Sequence, residues 1–318
     1  MRVGQASRTA GFNAALRAFE STRRPTARLI YDPFAVHLLP KRLAALVRLA
    51  AVPAVGKVVV NFVDRRWPGM RSSVIARTWL IDGWLADAVE TGIDQMVLLG
   101  AGFDTRAWRL PFLARTRVFE VDHPATSATK QNRLARLQAN RDHLQFVPVD
   151  FNRSTAAEPL ATAGFDSSRR ALVLWDGVTN YLQPSAVDAT MRWIGSLARR
   201  GQLIFTYIHA GVLDGTVHFD GMGAVMQTVN RSGEPWTFGL EPALVPAYLH
   251  ERGLRLMNDL NADDYRLQAM GPKARRIKGY AFYRAARAEI VGSIKPSFAS
   301  PGRNAGRFRQ GDGIPSDF

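Results

Sequence analysis

The chain has 318 residues, 47% of them hydrophobic, and no cysteine. That excludes disulfides and cysteine-based metal or nucleophile chemistry, and it leaves ample apolar surface for one large α/β domain with an added cap. The net charge of +15 is mostly arginine and is gathered early, residues 1–71 holding thirteen Lys/Arg against three acids.

Such a bias suits an acidic partner: an anionic substrate, a membrane surface or nucleic acid. Arginine coding bias would give the same excess. No RNA-binding signature or basic-aromatic interleaving is present, so nucleic acid is not the favoured partner. Met1 to Asn13 is polar and has no signal-peptide core, which makes a cytoplasmic protein the expectation.

Gly11 to Arg24 reads as a helix carrying Ala14, Ala15, Leu16, Ala18 and Phe19. Leu29 to Ala35 then turns into a helix reaching about Leu49. The most apolar stretch, Leu43 to Val63, is interrupted by Arg48, Pro53, Gly56 and Lys57, so no transmembrane segment is expected there. Ser72 or Ser73 is positioned to cap a long helix from Val74 to Glu90 that ends at Gly92. Residues 1–71 are therefore expected as a helical cap, and 72–290 as a catalytic domain.

From Gln95 onward, strands and helices alternate. Strands are expected at 95–100, 116–121, 144–149, 170–176, 202–208, 254–259 and 279–285, with helices near 123–140, 185–199 and 242–252. This spacing predicts a seven-stranded, mainly parallel, Rossmann-like sheet covered by helices on both faces. The stretch 210–239 is long for a connection; rich in glycine and carrying Phe219, Trp236 and Phe238, it reads as a lid. Residues 291–318, rich in Gly, Pro, Ser and Arg, read as a disordered tail.

The chemistry centres on Val97-Leu98-Leu99-Gly100-Ala101-Gly102-Phe103-Asp104-Thr105-Arg106. An apolar strand that ends in Gly100 and Gly102 lets a ligand lie against bare backbone. The next strand carries Glu120 and Asp122, and Asp122 stands where a carboxylate accepts from both hydroxyls of a ribose. Glycine turn and acid-tipped strand together point to an adenosine-containing ligand. A dinucleotide site would want a third glycine where Thr105 stands, and Asp104 would face its pyrophosphate. S-adenosylmethionine, a sulfonium without phosphate, tolerates the acid. An NAD(P)-dependent oxidoreductase is thereby disfavoured.

These residues belong to a longer pattern. Tyr31-Asp32-Pro33-Phe34-Ala35, Ala76-Arg77-Thr78, the glycine turn, Phe119 to Pro124, Pro148 to Phe151, Trp175 to Leu182 and Gly233 to Gly239 occur in order. With them the chain resembles the leucine carboxyl methyltransferase family, and within it the actinobacterial-type S-adenosylmethionine-dependent methyltransferases. The resemblance spans about residues 10–286 and implies a class I methyltransferase fold with S-adenosylmethionine as cofactor.

It also implies roles. Arg77 would clamp the methionine carboxylate of the cofactor, for which a guanidinium is the natural bidentate partner. Gly100 would lie in the cofactor turn, and Asp122 would hold the ribose, with Glu120 as competitor. Asp150 and Phe151 would border the adenine. Asp176, where the family usually has Glu, would face the cofactor ammonium. Tyr181 would stand near the transferred methyl, either orienting substrate or filling core.

Methyl transfer from a sulfonium is an in-line displacement, so a carboxylate acceptor, ionised above a pKa of about 4, needs no base. A phenol or alcohol would need one, and His209 and His218, in or beside the lid, are the candidates. The six histidines show no metal-ligand spacing, so no metal is expected. The expected activity is O-methylation of a carboxylate or hydroxyl on a small, anionic, partly apolar molecule. An RNA-modifying methyltransferase using the basic cap is the alternative.

Overall fold

A computed structural model describes residues 8–137, 141–151, 155–233 and 235–292. The tail expected over 291–318 lies, from residue 293 on, outside the described residues, as does Glu234.

Strand β1 (Gln95–Leu99) is buried on both faces, as its unbroken apolar run demands. It pairs in parallel with β2 (Arg117–Asp122) on one side and β4 (Leu172–Trp175) on the other, Val97 lying opposite both Phe119 and Val173. β3 (Leu144–Pro148) extends the sheet beyond β2, and β5 (Gln202–Ile208) extends it beyond β4. The final order is β3-β2-β1-β4-β5-β7-β6, with β6 (Leu254–Asn261) and β7 (Tyr283–Ile290) antiparallel to their neighbours. The seven-stranded, mainly parallel sheet expected from the sequence is present, and the chain order reverses at β1/β4. Ligands bind at such a switch point, beyond the carboxyl ends of the strands.

Among the described residues four α-helices precede β1, the first three being α1 (Arg8–Ser21), α2 (Lys41–Leu49) and α3 (Pro53–Arg66). The long helix α4 (Met70–Glu90) follows. Ile81, Leu85 and Ala88 of α4 pack beside Met96 and Leu98 in one core, while Val97 and Leu99 join Phe119, Val121, Val173 and Met191 in the other. Period-2 alternation along one strand thus feeds both layers. Helix α4 starts four residues earlier than the Ser cap predicted. The Ser72 hydroxyl donates to the Gly69 carbonyl at 3.0 Å and Ser73 pairs with the Tyr265 hydroxyl at 2.6 Å, so the N-cap is Gly69.

The remaining helices are α5 (Arg106–Arg109), α6 (Pro124–Leu134), α7 (Ala157–Thr162), α8 (Pro184–Gly195), α9 (Gly211–Asp214), α10 (Met222–Ser232), α11 (Val245–His250) and α12 (Ala262–Met270). α12 lies outside the helices expected from the sequence; Asn261 and Asp264 form a full capping box at its start. β7 starts at Tyr283, four residues after the expected 279. Gly279 and Tyr280 have φ of +93° and +71°, so the chain is still turning there and the buried Tyr280 and Phe282 are core without being strand. Among the described residues no single helix is long and apolar enough to cross a membrane; α2 and α3 meet at 118°.

Candidate active site

A cavity of about 380 Å³ opens at the carboxyl ends of β1, β2 and β4. Its floor is the turn after β1. Gly100 has φ +66°, and a Cβ there would come within 2.5 Å of Val178 Cγ2. Gly102 has φ +44°, and a Cβ there would face Ala10 of α1 at 3.3 Å. Bare backbone lets Val178, after β4, close on Gly100 and lets α1 come near the turn at Gly102.

Asp122, at the end of β2, accepts the Gly102 amide on Oδ2 and the His123 amide on Oδ1. Burial pushes its carboxyl above the ordinary carboxylate range against those two donors. Asp150 and Phe151 follow β3 on the same wall, and Asp176 and Tyr181 follow β4.

Arg77 enters from α4. Its Nε lies 3.2 Å from Asp176 Oδ1 without the alignment of a hydrogen bond, and its guanidinium sits 4.6 Å over the Tyr283 ring. Burial opposes its charge, but Asp176 above all outweighs that and raises its pKa.

A second guanidinium, not singled out by the sequence, organises the acids. Arg106 holds Asp82 at 2.9 Å, Asp176 at 3.2 Å, and Asp104. Arg109 reaches the other oxygen of Asp82 at 2.7 Å. Burial alone would raise Asp104, but Arg106 overrides it and brings the carboxyl down to about 2. Asp104 therefore lines the cavity as an ionised carboxylate whose charge Arg106 balances.

The N-terminal helix is fastened over this floor. Arg17 Nε donates to Asp32 at 2.8 Å and its Nη2 to the Phe103 carbonyl at 2.5 Å. Thr105 donates to the same Asp32 carboxylate at 2.6 Å. Thr9, Ala10, Asn13 and Arg17 thereby line the cavity from above, and Gly233, Pro235 and Thr237 line it from the far side.

Two expected site residues do not reach the cavity. Glu120 shares Asp122's face of β2 but lies two residues deeper in the strand, about 7 Å back from its carboxyl end, where it is fully buried 2.6 Å from Lys130 Nζ. His209, just beyond β5, accepts the Gly211 amide at 3.1 Å, sits 3.6 Å from Glu241 and packs edge-on against Phe219. β5 is one strand removed from the switch point, which puts its end outside the cavity. His218 is exposed. The other expected residues, Arg77, Gly100, Gly102, Asp122, Asp150, Phe151, Asp176 and Tyr181, all line it. Among the described residues no cluster of His, Asp or Glu has the arrangement of a metal site.

The two competing acids separate by experiment. Asp122→Ala is expected to weaken S-adenosylhomocysteine binding by about 1–3 kcal/mol in calorimetry, the worth of hydrogen bonds to a charged acceptor. Glu120→Ala strands the buried Lys130 instead, so its loss is expected in thermal stability, with a smaller effect on ligand affinity.

Sheet order, glycine turn and acid-tipped strands together define a class I methyltransferase fold, whose cofactor is S-adenosylmethionine. The residues fit that group. The two glycines leave the cradle open, a carboxylate stands for the ribose, and a buried guanidinium beside a carboxylate suits an amino-acid end. The sequence profile of the leucine carboxyl methyltransferase family matches residues 10–195, and the chain belongs to that family.

A relative from Mycobacterium sp. (strain JLS) is 34% identical over 265 residues, covering 78% of this chain and 83% of the relative. One from Mycolicibacterium paratuberculosis is 39% identical over 179 residues, 54% of this chain and only 56% of that protein's length. Both are named as candidate S-adenosyl-L-methionine-dependent methyltransferases. Two crystal structures share the fold. A DUF574 family protein from Streptomyces avermitilis aligns with TM-score 0.55 at 14% identity, covering 90% of this chain and 98% of that one. A candidate methyltransferase from Thermobifida fusca aligns with TM-score 0.56 at 16% identity, covering 91% and 96%.

Proposed function

We propose that the chain is a cytoplasmic S-adenosylmethionine-dependent methyltransferase that O-methylates a carboxylate or hydroxyl of a small, anionic, partly apolar molecule. The carrying observation is that α1 and the 233–237 segment line the same cavity as the cofactor residues. An acceptor held there would be enclosed beside the cofactor, as a water-excluding displacement requires. Residues 1–71 then act as a cap and 210–239 as a lid. Trp67 joins the two by donating its indole N–H to Thr228 at 3.0 Å.

When bound, the cofactor supplies an electrophilic methyl on a sulfonium. Arg77 holds its carboxylate, Asp122 its ribose, Asp150 and Phe151 border its adenine, and Asp176 faces its ammonium. Tyr181, Leu182 and Thr237 line the acceptor side. The imidazole among the described lining residues, His123, already accepts the Ala125 amide at 3.2 Å and stands next to the ribose acid. The absence of a free imidazole on the acceptor side supports an acceptor that arrives ionised.

The test is methyl transfer to a panel of carboxylic acids, phenols and short RNAs at low and high salt. Transfer to carboxylates is expected, with kcat/KM flat from about pH 6 to 8.5 because no base has to titrate. Transfer to RNA alone, with every carboxylate and phenol inert, rejects the reading.

A further inference from the structure

Helix α3 is 14 residues long, yet Val63 is its one buried residue. Its outward side carries Val58 and Phe62, 68% and 64% exposed, and the neighbouring α2 and bend add Leu46, Leu49 and Val52. Five of the eleven large hydrophobic residues that stand exposed among the described residues thus fall within residues 46–62. Apolar side chains concentrated in this way mark an interaction surface rather than ordinary surface scatter.

The charge around the patch says what kind of surface covers it. Lys41, Arg42, Arg48, Lys57, Arg65 and Arg66 lie on the same two helices, Arg65 and Arg66 beside Val58 and Phe62, and among the described residues none of the six has a carboxylate within ion-pair distance. The one acid of the segment, Asp64, is already held by Arg71 at 2.8 Å. Two such faces would repel one another, so a second copy of this chain is a poor occupant. Arg65 and Arg66 stand at the rim of a shallow depression floored by Val58 and Phe62. Long basic side chains rimming an apolar face are what an interfacial helix presents to a bilayer, the apolar groups entering the acyl boundary and the cations meeting lipid phosphates.

We propose that the α2–α3 hairpin docks the protein on an anionic phospholipid membrane. It lies on the surface rather than spanning it, its two helices being short and meeting at 118°. The docked face is coupled to the site: α3 runs directly into Trp67, whose indole bonds Thr228 of α10.

The experiment is co-sedimentation of the full chain with phosphatidylcholine vesicles and with vesicles containing about 30% phosphatidylglycerol, at low and high salt. Preference for the anionic vesicles by about tenfold or more is expected, falling steeply with salt. The double change Val58→Ser and Phe62→Ser should cut anionic binding about tenfold, and Arg65→Ser about fivefold, near the worth of one surface cation. Leu244→Ser, which removes an equally exposed apolar residue elsewhere, should leave it unchanged. Retained S-adenosylhomocysteine binding shows that these variants are folded. Equal partition onto both vesicles, or wild-type binding by the double variant, overturns the proposal. So does absence of vesicle binding, including where a dimer broken by the double variant, or RNA binding, is found instead.

Discussion

Arg77→Ala is expected to weaken S-adenosylmethionine binding by about 2–4 kcal/mol, roughly 30- to 900-fold in Kd, while the far-UV spectrum stays unchanged. The guanidinium is buried, stacked on Tyr283 and 3.2 Å from Asp176, so its position is fixed before any ligand arrives. Little ordering entropy is then lost when a carboxylate binds, and water does not screen the pair. Arg77→Lys keeps the charge but loses the planar fork and the ring contact, so it should recover only part of the affinity. Calorimetry with S-adenosylhomocysteine decides the matter. Wild-type affinity in the alanine variant would show that the cofactor carboxylate is held elsewhere.

Arg106→Ala is expected to cost about 3–5 kcal/mol of stability, the usual loss when one partner is taken from a buried ionic network. In thermal melts this is about 6–20 °C for a domain of this size. Three carboxylates, on Asp82, Asp104 and Asp176, share this one side chain. Arg109 still holds Asp82 and Arg77 still faces Asp176, so Asp104 suffers most.

The pH dependence follows. Asp104 sits at about 2 in the folded chain against an ordinary 3.8. Its ionised form therefore contributes stability that is fully present above pH 3.8 and is lost as pH falls toward 2. Without Arg106 that contribution vanishes and burial raises the carboxyl instead. The gap in melting temperature between wild type and variant should be widest near neutrality and narrow on acidification below about pH 4. A gap independent of pH would mean that Arg106 acts by packing alone.

The floor of the cavity was legible in the sequence because its signals are local. Gly100 and Gly102 follow an apolar strand, Asp122 ends one, and Asp150 and Asp176 come just after one, so strand ends and cavity lining coincide. Glu120 misled because acids two residues apart on a strand share one face, and only where the strand ends decides which of them reaches the cavity. His209 misled because nearness to a strand end says nothing about distance from the switch point. The Arg106 network was illegible for a different reason. Its carboxylates come from α4, the glycine turn and the end of β4, and only the folded sheet brings those segments together. Asp104 could be read as unfriendly to a pyrophosphate, but its neutralising partner, two residues away, could not be read from spacing. The upper and far walls of the cavity stayed least legible because their lining is gathered from α1 and from Gly233, Pro235 and Thr237, far apart in the chain.

The strand order has a consequence for how the chain is made. β6 touches the sheet only through β7, which is synthesised after it and inserts between β5 and β6. Until residue 290 has left the ribosome, β5 therefore presents an open edge and β6 has nowhere to dock. The strands whose ends line the cavity, β1 to β4, can pair among themselves well before then. The nascent chain thus passes through an interval in which an incomplete four- or five-stranded sheet displays apolar Phe205 and Tyr207 on an unpaired edge strand. An edge of that kind is a template for aggregation. Slow translation or early release across residues 262–283 would expose it longest, so yield of the protein should depend on chaperone supply more than its final stability suggests.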